Sequence, residues 1–150
     1  MTSQPKPSLA LPGNDTWVTY SDGAARGNPG PASYGAAVID PGGVLRDEIS
    51  EAIGITTNNI AEYKGLIAAL ESALELGARR VEARLDSELI VKQALGQYRV
   101  KHPGLLPLFT RVLQLRREFD YISFRHVPRA QNKLADALAN QALYRTSKDM

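Results

Sequence analysis

Four acidic residues have the type and placement to do chemistry together: Asp22, Glu62, Asp86 and Asp136. Asp22 follows the β-prone run Trp17-Val18-Thr19-Tyr20, and Asp86 follows a second run of this kind. Ligand sites in open α/β sheets usually lie outside the carboxyl ends of the strands. If these two strands are neighbours, the two aspartates meet at one edge of the sheet.

The other two acids fall on predicted helices. Glu62 lies in the first turn of a long helical segment, at the edge of its apolar stripe, so its side chain borders the buried face. Asp136 has small or apolar neighbours on the last helix, where an uncompensated carboxylate would be costly. Four converging carboxylates raise one another's pKa and destabilise a fold unless cations neutralise them. Because carboxylate-only ligation favours Mg²⁺ or Mn²⁺ over zinc, the pattern predicts a site for hard divalent cations.

Each acid also has an ordinary structural explanation when it is taken alone. Asp22 could hydrogen-bond the backbone of its own turn, and Asp86 could cap the helix that follows it. Glu62 could form a capping box with Asn59. The hypothesis of a shared site therefore depends on the conjunction of the four acids and not on any one of them.

Alternating and helical hydrophobic patterns predict elements in the order βββαβααβα. The strands are predicted at residues 17–20, 34–40, 44–53, 81–85 and 121–126, and the helices at 57–77, 88–95, 105–118 and 132–143. Thr57, Asn58 and Asn59 are candidate N-caps of the first helix, and Gly77 is its candidate C-cap. Three consecutive strands with short connections favour an antiparallel meander. The whole order fits an α/β fold with a mixed five-stranded sheet and helices on both faces.

Composition excludes several classes of protein. The chain has 150 residues, a formal net charge of +2 and no cysteine, which removes zinc fingers, iron–sulfur clusters and thiol nucleophiles. The small net charge leaves any affinity for nucleic acid to the placement of the charges. An aromatic content of only 7% argues against a carboxylate-pair glycosidase with a sugar cleft.

The domain organisation predicted from the sequence is simple. We expect a flexible tail at residues 1–15, one domain at residues 16–143 and a short C-terminal tail at residues 144–150. No apolar run has the length of a membrane span, and the start of the chain lacks a signal-peptide pattern. We therefore expect a cytoplasmic protein with no membrane partner, and a monomer by default.

Four motifs occur in one order along the chain: residues 20–31, residues 56–62, residues 85–88, and His126 followed by Asn132 and Asp136. With these motifs the chain resembles the type 1 ribonuclease H family over about residues 17–143. Four separate motifs on the appropriate element types make the resemblance highly specific, unlike a lone glycine-rich loop.

The resemblance implies a sheet with strand order 3-2-1-4-5, strand 2 being antiparallel to the rest, and an endonuclease that cuts the RNA strand of RNA/DNA hybrids. On the family pattern Asp22 bridges two Mg²⁺ ions, for which Mn²⁺ could substitute. Asp136 completes the first metal site, and Glu62 and Asp86 complete the second. Two ions roughly 4 Å apart would activate a water and stabilise the leaving oxygen. Family members leave 5′-phosphate and 3′-hydroxyl ends.

The resemblance also implies roles for two residues near the acids. His126 matches a family histidine on a mobile loop that shuttles a proton or helps product release, a role for which an imidazole is suited. Asn132 lies one helical turn before Asp136 on the same face, where it is expected to help order the metal site.

Contacts to both strands of a hybrid are implied as well. An enzyme that cuts RNA only when it is paired with DNA must contact 2′-hydroxyls on one strand and reject them on the other. The positions that match those facing the RNA strand in the family are Gly23, Ala24, Ala25, Ser87 and Glu88. The positions that match those near the minor groove and the DNA phosphate are Asn28, Thr57, Asn58 and Asn59.

The sequence departs from the family pattern in two places. Glu88 stands where many members have glutamine, and a carboxylate cannot donate to a 2′-hydroxyl unless it is protonated. The interval between residues 95 and 105 is short, where some bacterial members have a long basic, Trp-rich protrusion. Because Arg99 and Lys101 are the main charges left there, we predict weaker and more salt-sensitive hybrid binding. A second candidate phosphate-contact cluster is Arg125, Arg129 and Lys133.

Two other functions stay open at this point. Folds of this kind are reused for binding, so the domain could bind a hybrid or double-stranded RNA without cutting it. The presence of all four acids argues against that hypothesis. A different nuclease on the same scaffold, such as a transposase-like or exonuclease domain, is disfavoured by the Asn28-Pro29-Gly30 and Thr57-Asn58-Asn59 matches.

Overall fold

The computed structural model describes the backbone of residues 15–149 and the side chains of residues 15–145. The tail predicted at residues 1–15 therefore lies, apart from Asp15, outside the described residues. The strands are β1 (Thr16–Ala25), β2 (Gly30–Ile39), β3 (Leu45–Thr56), β4 (Arg80–Leu85) and β5 (Tyr121–His126). The sheet order is β3-β2-β1-β4-β5, with β2 antiparallel to both neighbours and β1, β4 and β5 mutually parallel. The predicted order, including the reversed second strand, is confirmed.

The helices are α1 (Asn58–Glu75), α2 (Glu88–Ala94), α3 (Leu106–Arg116) and α4 (Lys133–Asp149), with a short 3-10 helix at Arg129–Gln131. The predicted end of the last helix at Leu143 is wrong, because α4 continues to Asp149. No glycine or proline follows Leu143 to stop the helix. No helix within residues 15–149 is both long and apolar enough to cross a membrane.

Local rules account for the start and end of α1. Of the three candidate N-caps, Thr57 has the extended backbone of a cap, and its Oγ1 accepts a hydrogen bond from the Ile60 N–H at 3.3 Å. At the other end Gly77 follows the last turn with φ 97°, a left-handed conformation that favours glycine. Its N–H donates to the Leu74 carbonyl at 3.0 Å, which completes the cap.

β1 is longer than the sequence predicts. Antiparallel pairing with β2 continues from Asp22, opposite Gly35, to Ala25, whereas the parallel pairing with β4 stops at Ser21 and Leu85. Asp22 therefore lies inside β1 and not at its end, which corrects the prediction. It is nevertheless the first β1 residue beyond the end of β4, so it still lies at the edge that the two strands share.

Helices pack on both faces of the sheet, and two of them approach its backbone closely. The main core lies between the sheet and α1, α2 and α3, and includes Tyr63, Leu66 and Leu70. A Cβ atom at Gly23 would collide with the α1 backbone at Glu62 and Ala61, and one at Gly35 would collide with the α4 backbone. These two glycines therefore let α1 and α4 sit directly on β1 and β2.

Candidate active site

Three carboxylates converge at the edge where β1 passes the end of β4. One oxygen each of Asp22, Glu62 and Asp86 lies within 4.8 Å of the others. Asp22 lies on β1, and Asp86 directly follows β4. Glu62 comes close to both because α1 packs on Gly23. The Gly23 N–H also donates to Asp22 Oδ1 at 2.9 Å, which fixes that carboxylate.

The fourth acid, Asp136, approaches the cluster from α4. Its carboxyl group lies near that of Asp22 and contributes to raising the pKa of Asp22. Arg129 Nη2 lies 3.9 Å from Asp136 Oδ1. The structure thus brings all four predicted acids to one cavity.

Asn132 attaches α4 to β1 beside this cluster. Its side chain is buried, and Nδ2 donates to the Ser21 carbonyl at 2.9 Å. Its backbone carbonyl accepts from the Asp136 N–H at 3.0 Å in the first turn of α4. Asn132 therefore links the start of α4, which carries Asp136, to the β1 residue that precedes Asp22.

The electrostatics of the cluster favour a cation. Burial first, and then the neighbouring carboxylates of Asp86 and Asp136, raise the pKa of Asp22 to about 8. Burial and the charge of Asp86 raise the pKa of Glu62 to about 7. Carboxylates held this close are stabilised by divalent cations, and an all-oxygen donor set suits Mg²⁺ or Mn²⁺. The residues present therefore fit the metal ions that the family resemblance implies.

Three details of the predicted site are corrected. Glu62 lies in the second turn of α1, since the helix begins at Asn58 and its first turn has no acid. Asp86 does not cap α2, because Ser87 Oγ accepts from the Ile90 N–H at 3.3 Å and is the cap. The side chain of Asp136 is 34% exposed, so it is not enclosed by apolar groups.

An open cavity of about 530 Å³ surrounds the carboxylates. Of the predicted substrate residues, Gly23, Ala24, Ala25 and Asn58 line it. Arg129, a member of the candidate phosphate-contact cluster, also lines it, and three lining residues were not predicted: Arg26, Asn140 and Leu143. Asn140 and Leu143 follow Asp136 by one and two turns of α4, so helical periodicity from Asp136 could have found them.

The other predicted residues near this cavity make hydrogen bonds within turns and helix starts, or lie in a first helical turn. Asn28 Oδ1 accepts from the Asn58 N–H at 3.0 Å, which joins the β1–β2 connection to the start of α1. Thr57 and Ser87 serve as helix caps, and Asn59 lies in the first turn of α1. None of these residues except Asn58 is among those lining the cavity.

Glu88 and His126 lie farther out. Glu88 pairs with Lys92 at 3.3 Å and is largely exposed, and it does not line the cavity. His126 is exposed at the end of β5, in register with Leu85, the residue before Asp86. It therefore stands near the rim of the site.

The basic residues considered for phosphate contact have different surroundings. Arg99 and Lys101 are exposed between α2 and α3, and neither has an ion-pair partner within the described part of the chain. Arg125 lies 3.7 Å from Glu82, and Arg129 faces Asp136. The predicted Arg125, Arg129 and Lys133 cluster is thus partly engaged with acids of the protein itself.

The sheet order and the acidic edge together define a ribonuclease H-like α/β domain. A family model described as "Reverse transcriptase-like" matches residues 20–142. The chain is similar to ribonuclease HI of Halobacterium salinarum, with 48% identity over 124 residues, 83% of this chain and 62% of that protein. It is similar to a ribonuclease H of Desulforamulus reducens, with 35% identity over 136 residues, 80% of this chain and 82% of that protein. The chain belongs to the type 1 ribonuclease H family.

Solved structures agree with this assignment. The N-terminal ribonuclease H domain of a Mycobacterium tuberculosis protein superposes with a TM-score of 0.83 at 47% identity, covering 85% of this chain and 98% of that chain. LC11-RNase H1 from compost, in complex with an RNA/DNA hybrid, superposes with a TM-score of 0.81 at 42% identity, covering 87% and 98%. The chain spans 35% of the length of a mycobacterial bifunctional protein that it matches at 49% identity.

Proposed function

We propose that this protein hydrolyses the RNA strand of RNA/DNA hybrids as an endonuclease, leaving 5′-phosphate and 3′-hydroxyl ends. The observation that carries the proposal is the convergence of Asp22, Glu62 and Asp86 within 4.8 Å. The similarity to LC11-RNase H1, whose solved structure contains an RNA/DNA hybrid, supports the substrate.

The acidic cluster would hold two Mg²⁺ ions, for which Mn²⁺ could substitute. Asp22 would contribute to both sites, with Asp136 at one of them and Glu62 and Asp86 at the other. When bound, the ions would supply an activated water and stabilise the leaving oxygen. The ions suit this site because the four carboxylates repel one another when they are ionised, and divalent cations would offset that repulsion.

The chain's own groups would orient the substrate and move protons. Asn132 holds α4 so that Asp136 faces Asp22. His126, exposed near the rim, would shuttle a proton or help product release.

Substrate selection would depend on the backbone and on neutral side chains. The cavity wall formed by Gly23, Ala24 and Ala25 lets a sugar-phosphate backbone approach closely. The linked pair Asn28 and Asn58 places neutral hydrogen-bonding groups beside it, which suits binding without sequence preference. We propose that the RNA strand lies over this wall, with Ser87 and Glu88 at its border. The cytoplasmic location and the monomeric state stay predictions.

Cleavage of a labelled RNA/DNA hybrid tests the proposal. The assay compares wild type with Asp22→Asn in Mg²⁺, in Mn²⁺ and in chelator, with single-stranded RNA and double-stranded DNA as control substrates. We expect metal-dependent cutting of the hybrid's RNA strand alone, which the substitution abolishes. Binding of the hybrid without cleavage in either metal would contradict the proposal and favour a non-cleaving binding module.

A further inference from the structure

A second large concavity lies away from the acidic cluster of the candidate active site. Two adjoining cavities of about 660 and 340 Å³ share Tyr34, Ala68, Glu71 and Arg111 in their walls. One side of this concavity is formed by β2 and β3, and the other by α1 and α3. We call it the acidic groove. No described residue that lines it also lines the active-site cavity.

α1 separates the two cavities. At about 100° per residue, Lys64, Ala68 and Glu71 lie on the face of α1 turned away from Glu62. A molecule in the groove would therefore contact the opposite side of the helix from the metal ligands. The groove is a separate surface and not an extension of the active site.

The charge of the groove is opposite to that of the chain as a whole. The chain has a net charge of +2. Among the described residues, the groove has two cations, Lys64 and Arg111, against five carboxylates, those of Asp47, Glu51, Glu71, Glu75 and Glu118. Such segregation produces a local negative potential, which repels phosphate and attracts cationic side chains.

Some of these carboxylates pair with other groups of the protein, and others do not. Arg111 Nη2 pairs with Glu71 at 2.9 Å, and Ser72 Oγ donates to Asp47 Oδ2 at 2.6 Å. Within the described part of the chain, the side-chain carboxylates of Glu51, Glu75 and Glu118 have no ion-pair or hydrogen-bond partner. These three are exposed, so they are available to an incoming cation.

The walls between the carboxylates are apolar. Half-buried aliphatic side chains from β3, α1 and α3 line the groove: Ile49, Ile53, Ile67, Leu74 and Leu108. Tyr34 stands between them, and burial together with the charges of Glu51 and Glu71 raises its pKa. A free inorganic cation or a polyamine would leave this apolar surface uncovered, whereas a polypeptide with aliphatic and basic side chains would cover it.

We propose that the acidic groove is a docking surface for a basic segment of a partner protein, with lysine or arginine side chains placed around an aliphatic one. The cationic side chains face Glu51, Glu75 and Glu118, and the aliphatic side chain packs on Ile49 and Leu74. This inference is independent of the reaction at the carboxylate cluster, because the two surfaces share no lining residue.

A synthetic peptide tests the proposal on the full chain. The probe has lysines flanking a central leucine and valine, and the comparison probe has glutamate in place of each lysine. Titration followed by amide chemical shifts gives both the affinity and the location of binding. We expect micromolar binding of the lysine peptide at low salt, with shifts at groove residues, and no binding of the glutamate peptide.

Matched variants identify the groove as the site. Glu51→Gln combined with Glu75→Gln removes two carboxylates from the groove. Glu48→Gln combined with Asp120→Asn removes two from elsewhere, since Glu48 lies on the opposite face of β3 and Asp120 pairs with Arg79. We expect the groove variant to weaken binding about tenfold and the control to leave it within about twofold. Both variants should keep their hybrid cleavage, which shows that they are folded.

Four results would overturn the proposal. They are no binding by wild type, equal loss in both variants, binding of spermine as tight as that of the peptide, and chemical-shift changes that lie outside the groove. The spermine result would mean that the groove attracts cations without recognising a polypeptide.

Discussion

The active-site cluster and the acidic groove are both rich in carboxylates, yet their surroundings differ. In the cluster, three carboxylates lie within 4.8 Å, and burial raises the pKa of Asp22 to about 8. In the groove, Glu51, Glu75 and Glu118 are exposed and separated by aliphatic side chains. The same residue type thus serves two surfaces that need different partners.

The difference shows that spacing and burial, rather than acidity, decide what an acidic region binds. Buried carboxylates at short range repel one another, so a small divalent cation stabilises them and displaces their protons. Exposed carboxylates around apolar walls remain hydrated. Only a partner with both cationic and aliphatic side chains gains binding free energy from the carboxylates and the apolar walls together. The predictions below separate the two regions by changing one and leaving the other intact.

The largest effect is expected for Asp22→Asn. Because Asp22 is a neighbour of Glu62 and Asp86 and is proposed to contribute to both metal sites, its loss should lower the single-turnover rate of hybrid cleavage by about a thousandfold or more. Glu51→Gln in the groove removes one carboxylate far from the chemistry and should change the rate less than about twofold. Equal losses in the two variants would contradict the separation of the regions.

Metal binding should depend steeply on pH. The pKa of Asp22 is raised to about 8 and that of Glu62 to about 7, so both carry protons in the metal-free protein below those values. Mg²⁺ needs the ionised forms, so its apparent affinity should rise with pH up to about 8, by about tenfold per pH unit for each proton released. Calorimetry in buffers of different ionisation enthalpy measures the number of protons. A proton count of zero at pH 7 would contradict the raised pKa values.

The metal-free fold should lose stability as the pH rises. Asp22 has a higher pKa in the folded protein than its ordinary value of 3.8, so the folded state binds more protons. The free energy of unfolding therefore falls from about pH 4 to about pH 8. Asp22→Asn should remove much of this loss and stabilise the metal-free protein at pH 8 by roughly 1–3 kcal/mol. Urea unfolding in chelator at pH 5 and pH 8 checks the sign, and a variant less stable than wild type at pH 8 would refute it.

The smallest effect is expected in the connection between α2 and α3. Arg99→Glu combined with Lys101→Glu should weaken hybrid binding several-fold and lower the slope of log affinity against log salt. Neither residue has an ion-pair partner among the described residues, so folding should be unaffected. The groove variant serves as the comparison, and its salt slope should equal that of wild type. An unchanged slope in the Arg99 and Lys101 variant would exclude these two residues from phosphate contact.

Several features of this protein could be predicted because they obey short-range rules. Thr57 and Gly77 bound α1 through local backbone chemistry that a few neighbouring residues specify. The alternation of strands and helices predicted the sheet, and the family motifs predicted its order and the four acids. Asn132 was expected near Asp136 because residues one helical turn apart share a face.

Other features required the tertiary structure, because they depend on pairings between distant segments. Asp22 lies inside β1, and not at its end, because β2 pairs with it as far as Ala25. Glu62 reaches Asp86 because Gly23 lets α1 pack directly on β1. The groove joins β3 to α1 and α3, which are distant from one another in the sequence.

The sequence by itself determined the elements, the residue types of the active site and the exclusion of thiol chemistry. Only the tertiary structure decided which carboxylates are buried together and which face solvent between aliphatic side chains. The physical reason is that pKa and charge complementarity depend on distance and desolvation. Both quantities arise when the chain packs, and neither is a property of a residue's neighbours in sequence.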